Sequence, residues 1–243
     1  MTALTDDFMD STVIKSGDSC RLMLVAAGQE AKEHLKSGIC GFSALYGRES
    51  CRHIILEENA GADILVLVLP GADTDMDFRI ELTGPGASCR LFGLYLCPDA
   101  EKVRINVELF HRVHHCTSRQ LFKGIVSGTA RAGFYGRIVV APDAQVTEAY
   151  QENHNLLLSD TAKADTQPQL EIYADDVKCS HGATIGKLNE EEQFYMRSRG
   201  IPESEAKVLQ MVSFISSVLE ILPEGEDREN LAAYVGHTVR NGF

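Results

Sequence analysis

The sequence predicts a mainly β body, residues 16–187, followed by a helical C-terminal segment, residues 188–243, and preceded by a short N-terminal segment, residues 1–15. Three observations carry that prediction. Short β-branched and aromatic runs with period-2 alternation follow one another from about Ser16 to Ile185. No long amphipathic helix interrupts them after Leu35, which argues against an alternating βα protein. After Gly186 the apolar period becomes 3.6 and helix start and stop signals take over.

In order, the strand-like runs are "RLMLVAA", "RHIILEE", "DILVLVL", "FRIELTG", "RLFGLYL", "RINVELFHRVHH", "RQLFKGIVSG", "YGRIVVAP", "LEIYADD" and "VKCSHGATIG". The turns "ENAGADI", "GPGASCR", "CPDAEKV" and "APDAQVT" share a chemistry of Gly or Asp, then Ala, then a polar residue. Their alanines, Ala62, Ala87, Ala100 and Ala144, recur loosely. Small residues at a recurring corner suit stacked coils, where each turn lies close on the one below. Many short strands with Gly and Asp turns suit a β-sandwich equally well. The pattern alone leaves both open.

In the C-terminal segment, "NEEEQFYMRSRG" reads as a short helix capped by Asn189, with Glu192 placed as in a capping box and Gly200 as the stop. "IPESEAKVLQMVSFISSVLEILPEG" is the clearest helix. Pro202 suits its first position, and Glu203 and Glu205 suit the positive end of its dipole. Val208, Met211, Val212, Ile215, Val218, Leu219 and Leu222 form one apolar stripe that must be buried against the body or a partner. A weaker helix, "EDRENLAAYVGHTVRN", uses Leu231, Ala232, Val235 and Val239.

Composition narrows the function. The chain has 243 residues, 44% of them hydrophobic and 24% charged, as in an ordinary globular protein. Its formal net charge of −12 repels phosphate backbones and anionic lipid, so neither nucleic acid nor a membrane surface is an expected partner. No apolar run approaches the ~20 residues that span a bilayer. "MTALTDDFMD" lacks the basic and apolar regions of a signal peptide, so the expected location is the cytoplasm. The cysteines are scattered without C-x-x-C pairs and read as thiols. Cys20, Cys40, Cys51, Cys89 and Cys97 sit in apolar or turn-flanked contexts, as small buried hydrophobes do.

Three stretches invite a chemical reading. "HRVHHC", His111 to Cys116, looks like a metal cluster. On a strand, however, His111 and His115 would share one face and His114 and Cys116 the other, so no face collects three ligands. "GATIGK", Gly182 to Lys187, resembles a phosphate loop, but its spacing is one residue short and Leu188 stands where Ser or Thr is needed. "VKCSHGA" places Cys179 and His181 two apart, on one face of a strand and within about 7 Å of each other. The imidazole can favour the thiolate or join it as a ligand for a soft transition metal. Two ligands are too few for a cluster, so the rest must come from another chain or the site must be transient. The plainer reading is a buried thiol and a hydrogen-bonded imidazole. A cysteine hydrolase lacks both an oxyanion hole and a third orienting residue in this sequence.

The pieces "FYGRIVVAPDAQVTEAYQENHNLLLS", "PQLEIYADDVKCSHGATIG" and "EEQFYMRSRGIPESEA", in that order from Phe134, resemble the SufB/SufD family of iron–sulfur cluster assembly scaffolds. The unbroken "KCSHGAT" is more similar to the SufD branch, and "HHCTSRQLFKGIVSG" is similar too. The resemblance implies a right-handed parallel β-helix with a helical C-terminal segment. It implies a non-enzymatic subunit that pairs with a SufB-like scaffold and carries a SufC-like ATPase. The nascent cluster would form at the interface of that pair, with Cys179 and His181 contributing as ligands or in sulfur transfer. No cofactor would be stably bound; the cluster would be transient. The resemblance further implies that the C-terminal helices dock the ATPase, which would give the stripe Val208, Met211, Val212, Ile215, Leu219 and Leu222 its partner. It also implies a helical N-terminal domain that is missing here or reduced to the first few dozen residues. A shortened paralogue pairing with itself, and positioning partners without donating ligands, is the alternative.

Overall fold

A computed structural model describes residues 11–27, 43–46 and 49–243. Cys40 and residues 1–10 lie outside the described residues. The body is a two-sided parallel β-solenoid of about 5 turns. One sheet has the order β1 (Ser11–Ile14), β4 (Glu49–Leu56), β6 (Thr74–Leu82), β8 (Lys102–His111), β10 (Arg131–Val140), β12 (Lys163–Ile172). The other has the order β13 (Val177–Gly186), β11 (Thr147–Leu157), β9 (Thr117–Val126), β7 (Ser88–Cys97), β5 (Gly61–Val68), β2 (Ser19–Ala26), β3 (Ser43–Tyr46). Every pairing is parallel, as a stacked coil requires and an antiparallel sandwich does not. Successive coils place like positions about one repeat apart: His154 lies beside Thr184, 30 residues on.

Corners form where small side chains stack. Ser88 N–H donates to Ala60 C=O, Thr117 N–H to Ala87 C=O, and Glu148 N–H to Cys116 C=O. Ala60, Ala87 and Cys116 are completely buried, so this is the column of small residues that lets one coil lie on the next. Ala62, Ala87 and Ala144 are buried as a corner role demands, but Ala100 is exposed in its turn.

Inside the coil, bulky and absent side chains interlock. Gly93 pairs with Phe122 and Tyr95 with Gly124. A Cβ on either glycine would strike the facing ring. The inner faces form one core running from Ile14 to Ala174. A second apolar cluster lies between the outside of the β13–β3 sheet and the C-terminal segment. That segment comprises α1 (Glu190–Ser198), α2 (Glu203–Ser216), a 3₁₀ turn (Leu219–Ile221) and α3 (Glu226–Gly242). Asn189 caps α1 by accepting from Glu191 N–H and Glu192 N–H, and Gly200 takes the left-handed conformation at φ 86° just beyond it. Pro202 precedes the first turn of α2 instead of occupying it. The long helix expected through Leu222 is broken after Ser216, and the 3₁₀ turn lets Val218, Leu219, Ile221 and Leu222 all face inward.

The sequence left β1, β3 and β11 unread and caught only the end of β12, from Leu170; for β11 and β12 the reason is polarity. β11 has polar residues on its inner face, Gln151, Asn153 and Asn155, and β12 begins with polar positions from Lys163 onward. Most of the inner amide groups find partners within the coil, while Gln120 Nε2 and Gln151 Oε1 have none among the described residues. Gln151 Nε2 donates to Gln120 Oε1 at 2.9 Å, Asn153 Nδ2 to the Tyr95 hydroxyl at 3.0 Å, and Asn155 Nδ2 to Asn153 Oδ1 at 2.8 Å.

Candidate functional site

β13 is the last strand of its sheet, paired through β11 alone, and β12 ends the other sheet. Together they leave the C-terminal end of the coil open. Side chains that would face inward one coil earlier face the opening here. Cys179 stacks on the fully buried Ala149, and His181 stacks on the fully buried Gln151. Cys179 is half-buried and packs against the core, whereas His181 is exposed. Burial pushes the Cys179 thiol above its ordinary range, and a hydrogen bond with the Ala149 backbone works against that shift. The pair shares a face, as its spacing predicts, but its two members differ in accessibility.

Other positions at this end were not singled out in the sequence. Ile172 and Ile185 are 42% and 47% exposed, and Tyr173 is 61% exposed. Apolar residues at inner positions of a terminal coil look like core in the sequence, and only the missing next coil makes them surface. Among the described residues no three of His, Cys, Asp and Glu gather as a metal site, so a metal held by Cys179 and His181 needs ligands from elsewhere.

"HRVHHC" does not continue as a strand. β8 ends at His111, which is completely buried with Nε2 2.8 Å from the Ser118 hydroxyl. His114 and His115 sit on the exposed turn, and Cys116 points into the core. Lys187 of "GATIGK" pairs with Asp160.

The stripe on α2 is buried by its own chain. Met211, Ile215, Leu219 and Leu222 are each 5% exposed or less and pack in one cluster with Leu65, Leu67, Phe92, Leu94 and Ile125 of the sheet. Val208 and Val212 are partly buried. Of the two destinations open to the stripe, the body takes most of it. A different apolar surface stays open: a cleft of about 890 Å³ between α1 and α2, walled by Leu188, Tyr195, Met196, Leu209 and Phe214.

The features together define a parallel β-solenoid protein with an open, thiol-bearing end and a helical cover. Residues 48–214 match the SUF system FeS cluster assembly SufBD core domain, and the chain belongs to that family. It is 38% identical over 189 residues to the iron–sulfur cluster assembly protein SufD of Escherichia coli, covering 78% of this chain and 45% of that protein. A SufBD family protein of Mycobacterium leprae is 29% identical over 196 residues, covering 77% of this chain and 50% of its own length. The chloroplastic protein ABCI7 of Arabidopsis thaliana is 35% identical over 158 residues, covering 65% and 33%. The chain thus spans about half or less of the length of these relatives. The family's place in iron–sulfur cluster assembly follows; its partners do not follow from identity alone.

Proposed function

We propose that this chain is a SufD-like, non-enzymatic scaffold subunit that works in the cytoplasm. Its open end pairs with a SufB-like subunit, and a nascent iron–sulfur cluster forms between them as cargo. Cys179 supplies a thiolate or carries sulfur, and His181 supplies an imidazole. The observation that supports this most is the position of both residues on β13, at the open end, above a fully formed coil. A partner docking there would add the ligands that a two-residue site lacks. The SufC-like ATPase docks on the helical segment. Since the stripe is covered, the α1–α2 cleft with its 43%-exposed Leu209 and 60%-exposed Tyr195 is the better-suited surface.

A second reading has its own support. The raised Cys179 thiol and its packing against the core are what a structural residue shows. In that case the chain is a platform, alone or self-paired, and donates no ligand. Anaerobic co-expression with SufB-like and SufC-like partners separates the two. In the ligand-donor reading, Cys179→Ser with His181→Ala leaves the complex assembled but strips its iron and acid-labile sulfide. Equal iron and sulfide in variant and wild type would leave only the platform.

A further inference from the structure

The outer face of the β1–β12 sheet carries charges in rows, because residues paired across neighbouring strands stand side by side. In the row through Arg79, Glu108 and Arg137 the signs alternate. Arg137 stands beside Glu108 in register and reaches Glu171 diagonally, bonding to both at 2.7 and 3.3 Å. Arg104 reaches Asp77 at 2.8 Å and also binds Asp75. Another row holds cations on three successive strands. Lys102, Arg131 and Lys163 stand in register on three successive strands, all exposed. Among the described residues, none of their side chains makes an ion pair, a hydrogen bond or a ring contact. Like charges directly opposite on paired strands destabilise a sheet. In a chain of net charge −12, carboxylates to neutralise them would be easy to supply.

The row borders a cleft of about 680 Å³. Gly133, one position inward from Arg131 on the same face, contributes no side chain there, and the Tyr135 ring leans over it, 3.0 Å from where a Cβ would stand. Tyr135 hydroxyl is held by Asp165 at 3.2 Å. Asp73 closes the row at one end, its carboxylate accepting from Lys102 N–H at 2.8 Å. The three cations therefore span two strand spacings, about 10 Å, beside a floor without a side chain and with acids at its margins.

We infer that this cleft is a binding site for a compact polyanion carrying two or three linked phosphates, either inorganic or at the end of a nucleoside. Lys102 and Lys163 act as point charges at the two flanks, and the planar Arg131 fork takes phosphate oxygens in pairs between them. The acidic margins and the overall negative charge select against long polyanions such as nucleic acid.

Isothermal titration of the 243-residue chain at low ionic strength tests this, with tripolyphosphate as the probe and ADP and orthophosphate as comparison arms. Tripolyphosphate should bind at least about ten-fold tighter than orthophosphate, and Arg131→Ala with Lys163→Ala should weaken it by about a hundred-fold, roughly ten-fold per cation. ADP binding as tightly as tripolyphosphate assigns the site to phosphates in general; tighter ADP binding assigns it to a nucleotide. Lys178→Ala with Lys187→Ala removes the same charge from ion-paired surface positions and should change affinity no more than about two-fold. An equal loss in both double variants would reduce the effect to bulk charge and overturn the site. So would the absence of binding at millimolar tripolyphosphate, or undiminished binding in the Arg131/Lys163 variant. Circular dichroism melting confirms that each variant is folded.

Discussion

His111 sits at 0% exposure at the end of β8, with one ring nitrogen bonded to Ser118 and the other, Nδ1, without a partner. Burial lowers its pKa to about 4, below the 6.5 of an unhindered imidazole. The unfolded chain therefore takes up a proton as pH falls below 6.5 while the folded chain does not, until about 4. Stability is full above 6.5 and is lost across that window, by up to about 3 kcal/mol at 1.36 per pH unit. His111→Gln should flatten that stretch of the stability–pH curve, as measured by urea unfolding at stepped pH. At this scale the sequence placed Cys179 and His181 on one face of a strand, as the structure has them, and misled about the backbone of "HRVHHC". The i, i+2 relation survives because β13 is a regular strand. The alternation argument failed at His114 and His115 because β8 ends at His111 and the chain bends beyond it, with His115 at φ 60°. Gly124 gives a second prediction. A Cβ there would collide with the Tyr95 ring, whose hydroxyl is fixed by Asn153 and Asn155, so the ring cannot swing away. Gly124→Ala should cost about 1–3 kcal/mol as overpacking, read as a lowered urea midpoint at unchanged slope.

The strands were legible wherever the inside was apolar, as in β8, whose burial alternates, and in β5, a continuous apolar run buried on both faces. β11 was not, since its inner face reads Gln151, Asn153, Asn155 and its polarity becomes intelligible only when Gln120 and Tyr95 of neighbouring coils supply partners. Such partners lie a full coil away and leave no local pattern. The helices show the same divide. The stripe on α2 was plain, but its destination was not, because apolar residues read alike against a body or a partner. The structure separates two experiments that the sequence would have confounded. Ile215 is 1% exposed in the cluster under α2, so Ile215→Ala should lower stability by about 2–5 kcal/mol. Ile215→Asp should detach the helical segment and so disturb any docking indirectly. Leu209→Asp changes an exposed wall of the α1–α2 cleft and should leave the melting temperature nearly unchanged. If the ATPase docks there, Leu209→Asp alone abolishes co-purification; retained binding moves the dock elsewhere on the molecule.

The whole molecule is a coil that stops. Each inner coil is covered by the next, and the last is covered by no further coil among the described residues, which leaves Ile172 and Ile185 as exposed as surface residues although they occupy core positions. Two free strand edges, β12 and β13, bound the same opening. Unpaired edges beside exposed apolar side chains are what another chain's strands can extend. Pairing there would bury Cys179 and His181 between subunits, so assembly of the pair and completion of the site would be one event. This yields a prediction that tests the geometry independently of cluster chemistry. Ile172→Lys with Ile185→Lys adds charge at the opening without touching either ligand. The isolated variant should melt within about 0.5 kcal/mol of wild type, as surface substitutions do. Sedimentation velocity should show association with the SufB-like subunit, or self-association where that is the pairing, weakened by at least about ten-fold, the cost of leaving one buried charge poorly paired. Unchanged association would place the partner elsewhere. It would also leave Cys179 and His181 facing solvent in the complex, and with them the argument for a shared site would fall.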